Sequence, residues 1–181
     1  MKKHALGFGL LLMALSFVSC ISEEENLDAV FMQDLQKIED YILTVEDEYM
    51  RKETVGETGI VLLFTEVVED GELAQVRDTL MVNYTGMLLD GTVFDTSIEQ
   101  VARDNDMHSP TRNYEPYGLI LGVSNVIEGW HWALSRMKEG EKVTALIPSA
   151  YAYGKNGSGP IPANSVLVFD LDLVENAPFE Q

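Results

Sequence analysis

The chain has a single cysteine, Cys20, and three histidines, His4, His108 and His131. A lone thiol forms no intramolecular disulfide, and three scattered imidazoles give no cluster with metal-ligand spacing. No metal and no cofactor is therefore expected. Basic residues are scarce too: 12 Lys and Arg against 30 Asp and Glu leave a net charge of −18. Such a chain repels phosphate backbones and anionic head groups, which argues against a nucleic-acid partner. The longest apolar run, Ala5 to Val18, falls short of the ~20 residues that a membrane-spanning helix needs. No Ser/His/Asp, Cys/His or paired-carboxylate arrangement stands at recognisable spacing. The loop GKNGSGP at 154–160 lacks the GKS or GKT and the strand-to-helix setting of a phosphate-binding loop.

What is present begins with a targeting pattern. Lys2 and Lys3 precede the apolar run, and Phe17-Val18-Ser19 leads into Cys20. This resembles the lipobox at which bacterial lipoproteins are cleaved and acylated. Residues 1–19 are thus expected to be a signal peptide and Cys20 a lipid attachment site, the lipid being the sole membrane contact. Cleavage would remove two lysines and no acid, taking the net charge from −18 to −20. The expected location is the envelope of a Gram-negative bacterium, anchored by lipid to the outer membrane on its periplasmic or surface face.

Residues 20–58 read as an acidic tether, CISEEEN, followed by a helical extension. Leu27 to about Arg51 lacks Gly and Pro. Its apolar residues Phe31, Leu35, Ile38, Ile42, Val45 and Tyr49 alternate by four and three, a stripe on one helix face. With fewer than three heptads, a helix packed on its own domain is a better reading than a coiled coil.

From Gly59 the period changes. GIVLLFTEVV (59–68), Thr79–Thr85, Val143–Ile147 and Val166–Val174 read as strands, with Asp70-Gly71 and Asp90-Gly91 as turns. In the last strand Leu167, Phe169, Leu171 and Leu173 face one way, opposite Val168, Asp170 and Asp172. Val126–Met137 has a helical pattern, with Ser124 or Asn125 as cap and Gly140 as stop. Ser97–Tyr114 reads as an irregular surface excursion. Four or five strands against one short helix, without regular βαβ alternation, predict an antiparallel α+β domain over 59–175 and a tail at 176–181.

Four ordered stretches carry a resemblance: VNYTGMLLDGTVFDTS (82–97), LGVSNVIEGWHWAL (121–134), PSAYAYG (148–154) and IPANSVLVFDLDL (161–173). Together they resemble FKBP-type peptidyl-prolyl cis-trans isomerases, in a bacterial lipoprotein form. The resemblance implies a twisted antiparallel β-sheet wrapped around a short α-helix (FKBP-like), here with an N-terminal helical extension. It implies an apolar pocket with Trp130 as floor, Tyr84, Phe94 and Phe169 as walls, and Tyr117, Val126, Ile127 and Ile161 around the mouth. Asp95 and the Tyr153 hydroxyl supply its polar contacts, and the Ile127 N–H meets a substrate carbonyl. Catalytic roles fall on Asp95, Tyr153, Phe169 and Trp130. Substrates implied are proline-containing polypeptides. The alternative is a lipid-anchored chaperone or binding subunit of an envelope complex with little turnover.

Overall fold

The computed structural model describes residues 23–45 and 48–179, with side chains from Asn26 onward. Cys20 and the targeting pattern lie outside the described residues. Seven strands form one sheet in which every neighbouring pair is antiparallel. They are β1 (Arg51–Thr54), β2 (Val61–Glu66), β3 (Thr79–Leu88), β4 (Val93–Thr96), β5 (Tyr117–Ile120), β6 (Lys142–Ile147) and β7 (Leu167–Ala177). The order is β1-β2-β6-β7-β3-β4, with β5 also paired to β3. Among the described residues three α-helices accompany them: α1 (Glu23–Thr44), α2 (Glu99–Asp104) and α3 (Glu128–Leu134). The α+β architecture follows the sequence expectation, with two or three more strands than the apolar patterns suggested.

The sheet is buried on both faces at one end, and alternation along the strands explains how. On the inner face Leu62, Phe64, Val82, Tyr84, Ala145, Leu167, Phe169 and Leu171 form one core with Trp130, Ala133 and Leu134 of α3. On the outer face Val61, Leu63, Leu146 and Val168 form a second core with Ile38 and Ile42 of α1. Strands buried on both faces read as continuous apolar runs, which is the pattern of VLLFTE in β2. Beyond the reach of α1 the outer face turns polar, at Asp170 and Asp172 of β7. The N-terminal helix is therefore the third layer of a sandwich, packed on its own domain as the short stripe suggested.

Several boundaries differ from the sequence reading. Helix α1 stops at Thr44 rather than near Arg51. It has no basic residue in its last turn, and the acidic run Glu46-Asp47-Glu48 follows. Acids there would sit at the negative end of the helix dipole, which disfavours continuation. Arg51 instead opens β1, a polar edge strand paired with β2, its guanidinium 3.7 Å from the Phe64 ring centroid. Helix α3 is shorter than Val126–Met137, and its cap is Ile127 without a side-chain bond. Ser124 Oγ accepts from the Ile120 N–H at 2.9 Å, so it holds the preceding loop instead of the helix. The excursion contains α2, supported by the Glu99–Arg103 ion pair one turn apart. Strand β7 runs two residues into the expected tail.

Ile38 is 2 % exposed within the outer core. Ile38→Ala is expected to destabilise the fold by about 2–5 kcal/mol through lost burial and the cavity left behind. Urea unfolding checks this, with Leu43→Ala, 69 % exposed on the same helix, as the near-neutral control.

Candidate active site

The site forms where β3 lacks a continuous neighbour. Along one edge, Thr79–Val82 pair with β5 and Thr85–Met87 with β4. Between them Ser97 substitutes for a strand: its N–H donates to the Tyr84 C=O at 3.0 Å, and its Oγ accepts the Tyr84 N–H at 2.9 Å. The Tyr84 side chain lies on the inner face at this break. A cavity of about 380 Å³ opens there, bounded by β3, β4, β7, the start of α3 and the loop 153–161.

All ten pocket residues named from the sequence meet in this one cavity: Tyr84, Phe94, Asp95, Tyr117, Val126, Ile127, Trp130, Tyr153, Ile161 and Phe169. Asn125 and the Ser158–Pro160 lip complete its lining. Trp130 sits at the bottom, 5 % exposed. Tyr84, Tyr117 and Phe169 meet it edge to face, at centroid distances of 5.2, 6.1 and 5.3 Å and interplanar angles of 72°, 84° and 90°. Phe94 stands 5.6 Å from Phe169 at 82°. T-shaped pairs are the favoured packing of aromatic quadrupoles, so the walls hold one another in place. The indole Nε1–H is buried without a hydrogen-bond partner among the described residues.

Two glycines make this shape possible. A Cβ at Gly86 would lie 2.6 Å from Phe94 and 2.7 Å from Phe169, so only glycine lets both rings lean over β3. Gly157, at φ 63°, would drive a Cβ into the backbone of Ile161–Ala163. That tight lip is braced by reciprocal bonds between Ser158 and Ile161, 2.9 and 2.8 Å, and by Asn164 N–H to Gly154 C=O at 2.8 Å. The opposite rim is fixed by His131 of α3. Its Nδ1 accepts the Gly122 N–H at 3.0 Å, and Nε2 lies 3.1 Å from the Ser124 C=O. Helix α3 begins at Glu128, so the Ile127 N–H stands ahead of the first turn, where backbone donors lack intrahelical partners.

The polar end is organised by a residue the sequence did not single out. Arg112, from the excursion, donates from Nη1 to Asp95 Oδ1 at 2.7 Å and from Nη2 to the Tyr84 hydroxyl at 3.1 Å. The Tyr84 hydroxyl donates to Asp95 Oδ2 at 2.7 Å, and the Thr96 N–H to Oδ1 at 2.9 Å. Asp95 is thus an acceptor on both oxygens, fixed in direction by three residues. Burial, then the bond to Asp95, pushes the Tyr84 phenol up to about 12, with Arg112 opposing. Tyr84, expected as a wall, is a wall whose hydroxyl also bridges Arg112 and Asp95. Among the described residues no histidine or cysteine lines the cavity.

An apolar aromatic cavity thus opens at the broken edge of an antiparallel sheet packed on a short helix. The sequence profile of the FKBP-type peptidyl-prolyl cis-trans isomerases matches residues 71–174, and the chain belongs to that family. It is 39 % identical over 133 residues to the FKBP-type peptidyl-prolyl cis-trans isomerase FkpA of Escherichia coli, covering 72 % of this chain and 44 % of that protein. It is 37 % identical over 153 residues to the FKBP-type 22 kDa peptidyl-prolyl cis-trans isomerase of the same organism, 83 % and 67 % of the two chains. FK506-binding protein 2 of Debaryomyces hansenii is 43 % identical over 100 residues, 55 % of this chain and 64 % of that one. The chain thus spans between about two fifths and two thirds of the length of these relatives. The crystal structure of Escherichia coli FkpA aligns with a TM-score of 0.61 at 31 % identity, over 86 % of this chain and 64 % of that one.

The folded protein holds the Tyr84 proton up to about 12, whereas an unfolded tyrosine releases it near 10. The stabilisation is therefore complete below pH ~10 and lost as pH rises from about 10 to 12. Alkaline unfolding should show wild type losing stability relative to Tyr84→Phe across that window. Parallel curves would show that the phenol is not held in this way.

Proposed function

We propose that the chain is a peptidyl-prolyl cis-trans isomerase acting on X-Pro bonds of exported polypeptides. The observation that carries this reading is the convergence of Trp130, its three edge-on aromatic partners and the braced Asp95 on one cavity. Amide resonance sets the barrier to rotation, about 18–20 kcal/mol, and twisting the C–N bond abolishes that resonance. The planar amide carries more charge on its carbonyl oxygen and is better hydrated than the twisted one. A pocket that replaces water with ring faces and few donors thus binds the twisted form better than the planar form. Trp130 takes the proline ring on the floor, and Tyr84, Phe94 and Phe169 exclude water from it. The Ile127 N–H and the Tyr153 hydroxyl fix the flanking carbonyls, while Asp95 meets the rotating group. Uncatalysed X-Pro rotation takes tens to hundreds of seconds, slow enough to limit folding of translocated chains. No observation favours the alternative of a binding subunit with little turnover.

The chain beginning at Ser22 is expected to turn over a short prolyl peptide. Asp95→Ala and Tyr153→Phe should both lower kcat/KM, the Asp95 change more. A hydrogen bond to a charged group is worth about 1.5–3 kcal/mol, or roughly ten- to hundredfold in rate. Full activity in the folded double variant would overturn the mechanism.

We further infer attachment to the envelope of a Gram-negative bacterium through lipid on Cys20, with residues 1–19 removed. The support is the sequence Phe17-Val18-Ser19-Cys20 after a basic and apolar leader. No helix among the described residues is long and apolar enough to cross a membrane. One acyl chain gives only marginal binding, so stable anchoring requires several. Cys20→Ala should leave the leader uncleaved or the protein soluble. A variant that fractionates with membranes as wild type does would refute lipidation.

A further inference from the structure

Asp34 is an anomaly on the apolar stripe of α1. It is fully buried, beside Leu35 and one turn before Ile38. Burying a carboxylate is costly unless donors replace the water it loses, and a well-packed apolar side chain would hold a helix without that cost. Two of its donors come from one residue 115 positions away. Ser149 donates to Asp34 Oδ2 from its backbone N–H at 2.9 Å and from its hydroxyl at 2.6 Å. The other oxygen, Oδ1, pairs with Lys37 Nζ at 3.1 Å. Ser149 is itself 2 % exposed, so the junction is dry on both sides.

Ser149 opens the 3-10 turn Ser149–Tyr151, and that turn leads directly to Tyr153 in the pocket. The Tyr151 N–H bonds back to the Pro148 C=O and the Ala152 N–H to the Ser149 C=O, both at 3.0 Å. These bonds leave little slack between Ser149 and Tyr153. The Tyr153 side chain has no hydrogen-bond partner of its own among the described residues. The short backbone path from Ser149 therefore sets where Tyr153 leaves the chain.

We propose that Asp34 is a positioning residue for the isomerase site: helix α1 sets, through Ser149, the place of Tyr153 at the mouth of the pocket. The proposal rests on the isomerase reading for its effect on rate, though not for its effect on Tyr153. It assigns the helical extension, none of whose residues lines the cavity, a part in the chemistry. Outer-core packing at Ile38 and Ile42 attaches the helix, and Asp34 adds direction and distance at a single point.

The experiment compares Asp34→Ala, Asp34→Asn and Ile38→Ala in the full chain, each also combined with Tyr153→Phe. Turnover on a tetrapeptide with one X-Pro bond is expressed per folded molecule, below the unfolding transition of every variant. The Tyr153 ring resonances are followed in parallel by NMR, assigned by their loss in Tyr153→Phe. Misplacing a group at a reacting centre by about 1 Å can cost on the order of 10²-fold, so a roughly tenfold loss of kcat/KM is expected for Asp34→Ala. Asp34→Asn keeps an oxygen that accepts both Ser149 bonds and should keep most of the turnover. Ile38→Ala should lose stability but not turnover. In the Tyr153→Phe background Asp34→Ala should add little, because residues acting through one another are non-additive. The Tyr153 resonances should move in Asp34→Ala and stay put in Ile38→Ala. Equal losses in Asp34→Ala and Ile38→Ala, an undiminished loss in the Tyr153→Phe background, or unmoved Tyr153 resonances would each overturn the proposal. A wild-type chain without turnover would sink the isomerase reading alone, and the resonances would still decide whether Asp34 places Tyr153.

Discussion

Everything in the pocket depends on the contact between Trp130 and Phe169, a helix residue and a strand residue meeting at 5.3 Å and 90°. It is one of the points where α3 is seated on the sheet, and it is also the junction of floor and wall. Phe169 is held from behind by the inner-face run of β7, and Phe94 stands against it across Gly86. A single set of edge-on rings therefore belongs to the hydrophobic core and lines the cavity. The cavity is a part of the core left unfilled at the break in the β3 edge, and the stability of its walls comes from the packing of the domain as a whole.

That double use explains what the sequence disclosed. Tyr84 and Phe169 sit at strand positions whose period-two pattern is strong, so each could be put on a core face of its strand before any coordinates. The order of four motifs then placed Trp130 and Tyr153 beside them. Arg112 escaped because it lies in a polar excursion, 17 residues from Asp95, with no periodicity to aim it. Asp34 escaped for a different reason: in a chain with 30 acids, one more carboxylate on a helix reads as solvated surface. Strand β1 was missed because Arg-Lys-Glu-Thr is polar, as exposed edges tend to be. The early end of α1 is followed in the sequence by an acidic run, which a count of apolar spacings does not weigh.

The two cores divide the labour. The inner one is built from strands and α3 and encloses the pocket. The outer one, formed by α1 against Val61, Leu63, Leu146 and Val168, turns a two-layer domain into three layers and makes β2 and β6 apolar on both sides. The family profile matches from residue 71, yet β2 lies between β1 and β6 within the sheet. The physical unit is thus larger than the matched segment and includes the helix.

The broken edge of β3 has a consequence for how such a protein can change. Residues 97–116 leave at β4 and return at β5, so their two ends are fixed by the sheet whatever lies between. Closing a flexible loop twice as long costs only about 0.6 kcal/mol more. The half-exposed Arg112–Asp95 pair is worth a similar amount, about 0.2–1 kcal/mol for pairs of that kind. Lengthening the excursion would hardly disturb the fold, yet it would compete on equal terms with the one ion pair that ties the loop to the pocket. The charge environment of the mouth is in this way adjustable by loop length, through the Asp95 and Tyr84 oxygens that Arg112 holds.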